Sequence, residues 1–212
     1  MKKGEHAAMG LKEYKAKRNF SVTAEPAGKA LPKKVKGASR FIIQKHDASH
    51  LHYDFRLEMD GVLKSWAVPK GLPWKKGEKH LAVEVEDHPV EYASFEGVIP
   101  AGQYGGGTVM LWDRGTYRVF GEEPLQSWRD GKLHFVLEGE KAQSEWRLVR
   151  TKMGASKPQW LFLKSGESVR PLPKKRDDES VASGRTMKQI AADRDAEWES
   201  NRAGKKKKSA GR

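Results

Sequence analysis

Two runs of alternating apolar and polar residues, separated by one Asp-Gly pair, constrain the fold of this chain more than any other feature of its sequence. In residues 51–57 every second side chain is apolar, which is the pattern of a half-buried strand. The polar residues between them therefore share one face: His52, Asp54 and Arg56. Asp60-Gly61 predicts a two-residue hairpin loop that pairs Met59 with Val62. That register fixes three further pairs: Phe55 with Trp66, Arg56 with Ser65, and Asp54 with Ala67.

The polar row of this hairpin carries groups that suit a divalent metal ion beside a phosphate. Neutral imidazole together with carboxylate suits manganese, iron or zinc, whereas magnesium and calcium favour shells made of oxygen alone. A turn at residues 47–49 would bring His46 back to His52 and Asp54, and the small partners Ser65 and Ala67 leave space above the row. Two histidines and one carboxylate leave coordination positions open for water or substrate.

Two neighbouring residues take different interpretations. Arg56 offers the planar fork that matches phosphate oxygens two at a time. His50 is interpreted as a lone strand histidine, a surface or satisfied core residue and not a metal ligand.

Composition narrows the classes of function. The chain has 212 residues, a formal net charge of +13 and no cysteine, which excludes disulfides, cysteine-ligated zinc and thiol nucleophiles. The positive charge favours a polyanionic partner such as nucleic acid, although a basic tail on an otherwise ordinary soluble protein would give the same balance. No apolar run approaches the roughly 18 residues of a membrane span, and no apolar signal core follows the first residues. We therefore expect a cytosolic protein without a membrane partner.

The rest of the chain predicts many short strands separated by turns. Strands are expected at residues 81–86, 108–112, 116–120, 133–137, 146–150 and 160–164, with turns at 113–115 and 130–131. Glu84 and Glu86 are predicted to lie on an exposed strand face, and the tryptophans, Phe135 and Phe162 in the core. This pattern favours a mainly β fold, a closed or nearly closed antiparallel β-barrel with a few short helices.

The two ends of the chain differ in composition from the middle. Residues 1–40 are interpreted as a basic arm folding over the barrel, with a helix near 11–17 and an extended stretch at 20–22. Residues 41–165 are the predicted barrel. Residues 166–212 are interpreted as a linker at 171–176, a helix at 186–198 and a basic disordered tail that includes Lys205 to Lys208.

Two further stretches bear on function. His88 stands where a strand gives way to a loop, with Tyr92 one turn later, and beside a metal ion it is a candidate phosphate ligand or general acid. The glycine-rich residues 100–107 lack the Gly-Lys-Ser/Thr end of a P-loop, so a turn or β-bulge is expected there.

Several of these motifs together resemble the 3′-phosphoesterase domain of bacterial DNA ligase D. The likeness covers roughly residues 14–164, and these motifs carry it: QKHDAS at 44–49, LHYDFRL at 51–57, LKSWAVPKG at 63–71, EDHP at 86–89 with Tyr92, and PAGQYG at 100–105. The resemblance implies a β-barrel nuclease and phosphatase of bacterial non-homologous end joining. Such an enzyme removes a 3′-terminal ribonucleotide from a primer strand and then the remaining 3′-phosphate, with manganese as the preferred metal and cobalt or zinc as alternatives in the same site.

The resemblance also implies roles for particular residues. The implied metal ligands are His46, His52 and Asp54, and the groups that would hold and stabilise the phosphate are Arg56, His88 and Tyr92. Gln44, Arg18 and Glu25 match supporting positions. Asn19 stands where the family commonly has aspartate, and His80, a further supporting position, where it commonly has arginine. The departure at Asn19 affects the role of the arm in the ribonuclease step. The departure at His80 affects a contact with phosphate.

Partners and rival functions follow from the same resemblance. No motif of a ligase or polymerase module is found, so we expect a stand-alone monomeric phosphoesterase that acts on DNA ends in trans, with Ku and a separate DNA ligase as candidate partners. One alternative is a DNA-end-binding module whose catalytic site is degenerate. A metal-free two-histidine phosphoesterase is a second, but it needs paired His-x-Thr/Ser motifs that this sequence lacks.

Overall fold

The computed structural model describes residues 11–28, 39–121, 123–152 and 156–193. The strands in these ranges are β1 (Ser39–Asp47), β2 (Leu51–Met59), β3 (Val62–Val68), β4 (Lys79–Pro89), β5 (Gly97–Ile99), β6 (Gly107–Val119), β7 (Lys132–Gly139), β8 (Gln143–Arg150) and β9 (Gln159–Ser165). The helices are α1 (Lys12–Ala16), a 3₁₀ helix η1 (Val90–Ser94), α2 (Pro124–Arg129), α3 (Lys174–Asp177) and α4 (Met187–Asp193). None of the helices in the described ranges has the length and apolar character needed to cross a bilayer.

The strands form one closed antiparallel barrel. Their order is β1-β2-β3-β4-β9-β8-β7-β6-β5, and β1 also pairs with β6. That pairing closes eight strands, so that only β5 extends beyond the closed sheet. The predicted fold class, a mainly β chain with a closed antiparallel barrel and a few short helices, is confirmed.

The predicted hairpin has the predicted register. Met59 pairs with Val62, Phe55 with Trp66, Arg56 with Ser65, and Asp54 with Ala67. Both loop residues have positive φ, 49° at Asp60 and 83° at Gly61, which is the conformation of the turns that match strand twist. Local turn chemistry was therefore enough to position the polar row against its small partners.

Two apolar clusters lie on opposite faces of the barrel wall. The inner cluster draws residues from all eight barrel strands and contains the predicted aromatic core: Phe55, Trp66, Trp112, Phe135, Trp146, Trp160 and Phe162. The outer cluster joins Tyr14 of α1 and Tyr92 of η1 to Ile42, Leu63 and Leu111. Because side chains alternate along a strand, this outer face of β1 to β3 also carries His46, Asp54 and Arg56.

The described part of the arm, residues 11–28, packs onto this outer face through Leu11 and Tyr14, and it contains a turn in place of the expected extended stretch. Residues 20–22 are turn residues, so the prediction of an extended stretch there was wrong. The Asn19 side chain accepts hydrogen bonds from Ser21 N at 3.2 Å and Ser21 Oγ at 2.6 Å, and Val22 N donates to Asn19 O. An asparagine side chain can stabilise a turn by hydrogen bonding to the backbone two residues further on. Here these bonds outweigh the strand propensity of residues 20–22.

Residues 113–115, predicted as a turn, lie inside the 13-residue strand β6. The Asp113 carboxylate instead accepts hydrogen bonds from the backbone of the β7–β8 turn, at Glu140 N, Lys141 N and Ala142 N. The Asp-Arg-Gly pattern therefore serves a turn that is distant in sequence.

Strand β5 and helix α2 were not predicted, whereas the turn at residues 130–131 was.

The segment after β9 also contacts the barrel. Part of the predicted linker is helix α3, and Ile190 of α4 is fully buried in the inner cluster. Glu96 accepts hydrogen bonds from Ser180 Oγ, Ser183 Oγ at 2.5 Å and Arg185 Nη2 at 3.1 Å. The end of the helix predicted at 186–198 and the tail at Lys205 to Lys208 lie outside the described residues.

Candidate metal and phosphate site

Three potential metal ligands meet at the turn end of the β1–β2 hairpin. His46 and His52 are directly paired across the two strands, and Asp54 follows on the same face of β2. One ligand atom from each lies within 4.8 Å of the others. Asp54 Oδ2 is 3.5 Å from His46 Nδ1, and Asp54 Oδ1 is 3.7 Å from His52 Nε2. The connecting turn lies at residues 48–50, one residue later than expected, and it brings together the predicted two-histidine, one-carboxylate set.

The hydrogen bonding of both rings fits metal binding. His52 Nδ1 donates to the carbonyl of His50 at 2.9 Å, which leaves the lone pair of Nε2 directed towards the cluster. His46 Nε2 is buried and has no hydrogen-bond partner among the described residues. The other ring nitrogen of His46, Nδ1, is the one that lies beside the Asp54 carboxylate. A buried polar atom without a partner is exceptional in a folded protein and is consistent with a site that binds a ligand. The donor set suits manganese, iron, cobalt or zinc. The His50 side chain is exposed, which is the first of the two alternatives expected for it.

Arg56 forms the floor of the site. Its guanidinium is 2% exposed and donates to Gln44 Oε1 at 2.9 Å, Ser65 Oγ at 2.9 Å and Asp54 Oδ2 at 3.1 Å. Burial opposes the charge on Asp54, yet the Arg56 guanidinium and the neighbouring imidazoles hold its pKa well below the usual range. Asp54 is therefore ionised and available as a ligand. Gln44, anchored by its amide to Phe95 O at 2.9 Å, orients Arg56.

His88 and Tyr92 lie on the other side of Arg56. His88 Nδ1 donates to Glu86 O at 2.9 Å, and Nε2 lies 3.2 Å from Arg18 Nη2. Burial, followed by the charges of Arg56 and Arg18, lowers the pKa of His88 well below its ordinary value, so the ring is neutral. The Tyr92 ring lies 4.8 Å from that of His88 and 4.9 Å from the Arg56 guanidinium. Burial raises the pKa of Tyr92 well above its usual value.

The arm supplies the second cation of the site. Arg18 Nε contacts Glu25 Oε1 at 2.7 Å, and Arg18 Nη1 contacts Glu86 Oε1 at 3.1 Å. Thr23 Oγ1 donates to the other oxygen of Glu25 at 3.0 Å. The structure thus brings one predicted supporting residue, Arg18, into contact with His88 and Glu86 of β4, and a second, Glu25, into contact with Arg18.

Glu86 is a buried member of this network, so the prediction that it lies on an exposed face was wrong. Its carboxylate contacts Arg18 and, at 3.0 Å, Lys17 Nζ, and these cations together with a backbone N–H lower its pKa against the effect of burial. The cause is a β-bulge. Leu63 pairs with His88 but Ser65 pairs with Val85, so two residues of β4 lie opposite one of β3. Past the bulge, Glu86 turns to the face that carries the site.

Glu84, on the other side of the bulge, is not exposed either. It accepts hydrogen bonds from the indole N–H groups of Trp128, at 3.2 Å, and Trp160, at 2.7 Å. This residue joins helix α2 to the barrel wall.

Two residues expected near the site make their described contacts elsewhere. His80 hydrogen bonds through Nδ1 to Gly71 O at 2.7 Å and lies 3.2 Å from Glu78 Oε1. Asn19 is engaged in the turn with Ser21. Neither has a described contact with the three potential metal ligands or with Arg56.

Lys17, Ser65 and Tyr104 also belong to the site, and sequence reasoning gave none of them a role there. Ser65 Oγ bridges Arg56 to Leu63 O. The hydroxyl of Tyr104 lies 3.5 Å from both Lys17 Nζ and Glu86 Oε2. The contact of Ser65 with Arg56 could have been predicted, because the predicted register puts these two residues opposite each other. Lys17 and Tyr104 come from loops whose packing no local pattern gives.

Comparison with known proteins identifies the family of this chain. Residues 44–150 match the family model described as "DNA Ligase D 3'-phosphoesterase domain". The chain is similar to the "Multifunctional non-homologous end joining protein LigD" of Pseudomonas aeruginosa, with 47% identity over 182 residues, which is 84% of this chain and 22% of that protein.

Mycobacterial relatives give the same result. The protein of the same name from Mycobacterium bovis is 47% identical over 143 residues, 66% of this chain and 18% of its own length. That of Mycolicibacterium smegmatis is 45% identical over 147 residues, 67% of this chain and 19% of its own length. The chain spans about a fifth of the length of these curated relatives. It belongs to the DNA ligase D 3′-phosphoesterase family.

Proposed function

We propose that this chain is a manganese-dependent enzyme that heals DNA 3′ ends in non-homologous end joining. It would remove a 3′-terminal ribonucleoside from a primer strand and then the remaining 3′-phosphate. The observation that carries the proposal is the group of His46, His52 and Asp54 beside the buried guanidinium of Arg56. Family membership supports phosphoester hydrolysis, and the names of the relatives support end joining. Cobalt or zinc would fit the same donors.

The proposed chemistry divides between an ion and the protein. A bound divalent ion would supply positive charge that polarises a phosphate and lowers the pKa of water. Arg56 uses three of its five N–H groups within the protein, and the remaining donors would contact phosphate oxygens. Because its own position is fixed by Gln44, Ser65 and Asp54, Arg56 would stabilise developing charge without reorganising.

His88 enters the reaction as a neutral ring. Its Nδ1–H is committed to Glu86 O, so Nε2 is the atom that would contact phosphate. A phosphate arriving beside Nε2 would bring negative charge and raise the pKa of His88 again, which would allow the ring to hold a proton for the leaving group. Arg18, 3.2 Å from Nε2, would share the same phosphate.

The test uses a primer-template whose primer ends in one ribonucleotide, incubated with and without manganese. Wild-type protein should give a product one nucleoside shorter that carries first a 3′-phosphate and then a 3′-hydroxyl. His46→Ala should lose both steps. His50→Ala is the matched control, because this exposed histidine contributes only its backbone carbonyl to the site and should retain activity.

The outcomes separate the competing functions. Equal activity of His46→Ala and wild type would remove the metal site from the mechanism. Absence of turnover with any divalent metal, together with tight and salt-sensitive DNA binding, would favour the end-binding module. If only the phosphatase step appeared, Asn19→Asp and His80→Arg would be the first variants to test for recovery of the ribonuclease step. Ku and a separate ligase are the proposed partners, and joined ends in a mixture of the three proteins would test them.

A further inference from the structure

Tyr104 projects from a loop that passes beside His46, one of the candidate metal ligands. Residues 100–106 form two consecutive turns, closed by Gln103 N to Pro100 O at 3.1 Å and Gly106 N to Gln103 O at 3.0 Å. Gly105 has a φ of +74°, and a Cβ at this position would lie 3.8 Å from His46 Cε1. The loop thus holds Tyr104 one residue away from a contact with His46.

The Tyr104 side chain is held at one end and open at the other. Its hydroxyl lies 3.5 Å from Lys17 Nζ and Glu86 Oε2, so it is tied to the buried ionic network of the site. Lys17 Nζ and the Arg18 guanidinium lie 4.8 Å and 5.6 Å from the ring centroid. Even so, 42% of the residue is exposed. A single exposed aromatic residue needs no explanation by itself. Tyr104 does need one, because its hydroxyl lies beside the charges of Lys17 and Glu86 while much of the residue is exposed to solvent.

Exposed apolar side chains are few among the described residues, and the others do not combine these properties. Large apolar residues with comparable exposure are Leu51, Leu81, Tyr104 and Phe120. Leu51 precedes His52 on β2 and points to the opposite face of the strand. Phe120 follows the far end of β6, the strand whose beginning pairs with His46.

We propose that the exposed face of Tyr104 is a stacking surface for the nucleobase of the 3′-terminal nucleotide. This inference rests on the proposed function, because a 3′-phosphate at Arg56 and the metal ligands places the sugar and base of the same nucleotide at the rim of the site. Stacking on an aromatic ring is tolerant of sequence, since every base has a π-face. It therefore suits an enzyme that must act on any broken end. Lys17 and Arg18 would fix the ring and attract the flanking phosphate.

The first test measures stacking without turnover. A 3′-phosphorylated strand that ends in 2-aminopurine is titrated with protein in EDTA, and base fluorescence is followed. Wild type and Tyr104→Phe should quench the base, because both keep the ring. Tyr104→Ala should lose the quenching and bind about tenfold more weakly, within the range known for base–aromatic stacking. Phe120→Ala, which removes a somewhat more exposed ring from the far end of β6, should behave like wild type.

The second test asks whether Tyr104 acts on the base itself. With manganese, Tyr104→Ala should raise KM about tenfold for a normal 3′-phosphorylated end. With an abasic terminal nucleotide, wild type and Tyr104→Ala should have the same KM.

Quenching that survives in Tyr104→Ala, absence of quenching in wild type, or an equal KM effect on both ends would overturn the proposal. Ring-dependent quenching without any turnover would instead refute the phosphoesterase function and leave the stacking surface established.

Discussion

The most exacting prediction concerns two arginine–glutamate pairs that have the same geometry but different burial. Arg18 Nε lies 2.7 Å from Glu25 Oε1, and Arg40 Nε lies 2.6 Å from Glu58 Oε2. The Arg18 side chain is 4% exposed and its partner 1%, whereas the Arg40 side chain is 42% exposed and its partner 22%. If burial controls the contribution of an ion pair, substitution of the two arginines by methionine should have very different costs.

The expected magnitudes follow from the partners left behind. Arg18→Met leaves the Glu25 carboxylate with Thr23 as its remaining described partner, and the Glu86 carboxylate with Lys17, the Tyr104 hydroxyl and a backbone N–H. Loss of one partner of a buried pair costs about 3–5 kcal/mol, and here two carboxylates lose the same cation. Arg40→Met removes a pair worth about 0–1 kcal/mol, because water solvates Glu58 in its place. In a domain of this size, Arg18→Met should lower Tm by about 6–20 °C, and Arg40→Met by at most about 4 °C.

Urea unfolding followed by tryptophan fluorescence measures both free energies of unfolding in EDTA. The double variant Arg18→Met/Glu86→Gln tests the reason, because neutralising one stranded carboxylate should recover part of the loss. Equal costs for Arg18→Met and Arg40→Met, or a double variant that is less stable than Arg18→Met alone, would refute the argument that stranded buried charge is the cause.

Three further predictions address other parts of the structure. Asp113→Ala should lower the free energy of unfolding by at least about 3 kcal/mol, measured in urea, because the β7–β8 turn loses its charged acceptor; a loss below 1 kcal/mol would contradict this. Burial lowers the pKa of Lys141 from 10.5 to about 8. Between the pH values that correspond to these two pKa values, Lys141 binds more protons in the unfolded chain than in the folded one, so it makes the free energy of unfolding rise with pH. Urea unfolding at pH 7.5, 9 and 10 should show a smaller rise in the free energy of unfolding for Lys141→Met than for wild type. Parallel pH profiles of the two proteins would contradict the prediction. Arg56→Lys should lower kcat/KM roughly a hundredfold, because an ammonium lacks the planar fork that Gln44, Ser65 and Asp54 hold in place; steady-state kinetics on a 3′-phosphate end would check this, with near-normal activity as the refuting result.

Local patterns in the sequence were sufficient for the β2–β3 hairpin, but not for the turn at residues 20–22, which was predicted as extended. The Asp60-Gly61 turn fixed the hairpin register, and alternation placed His52, Asp54 and Arg56 on one face. Alternation failed for Glu86, because a bulge in β4 shifts the phase and nothing in the apolar pattern marks the extra residue. Asp113 was misassigned for a related reason. Its turn-forming chemistry is real, but the turn that it caps lies 27 residues further along the chain.

The same distinction separates the two halves of the site. The potential metal ligands come from one hairpin, so their spacing is set by strand geometry and is legible in the sequence. The second cation, Arg18, comes from the arm and reaches Glu86 68 residues away through tertiary packing alone. Tyr14, which is fully buried, contacts the Arg18 guanidinium at 3.9 Å from its ring centroid and the His88 ring at 5.0 Å. Arm docking and the environment of His88 therefore depend on the same residues. A substitution that loosens the arm should change the protonation of His88 before it changes the metal ligands, since those are held by the barrel itself.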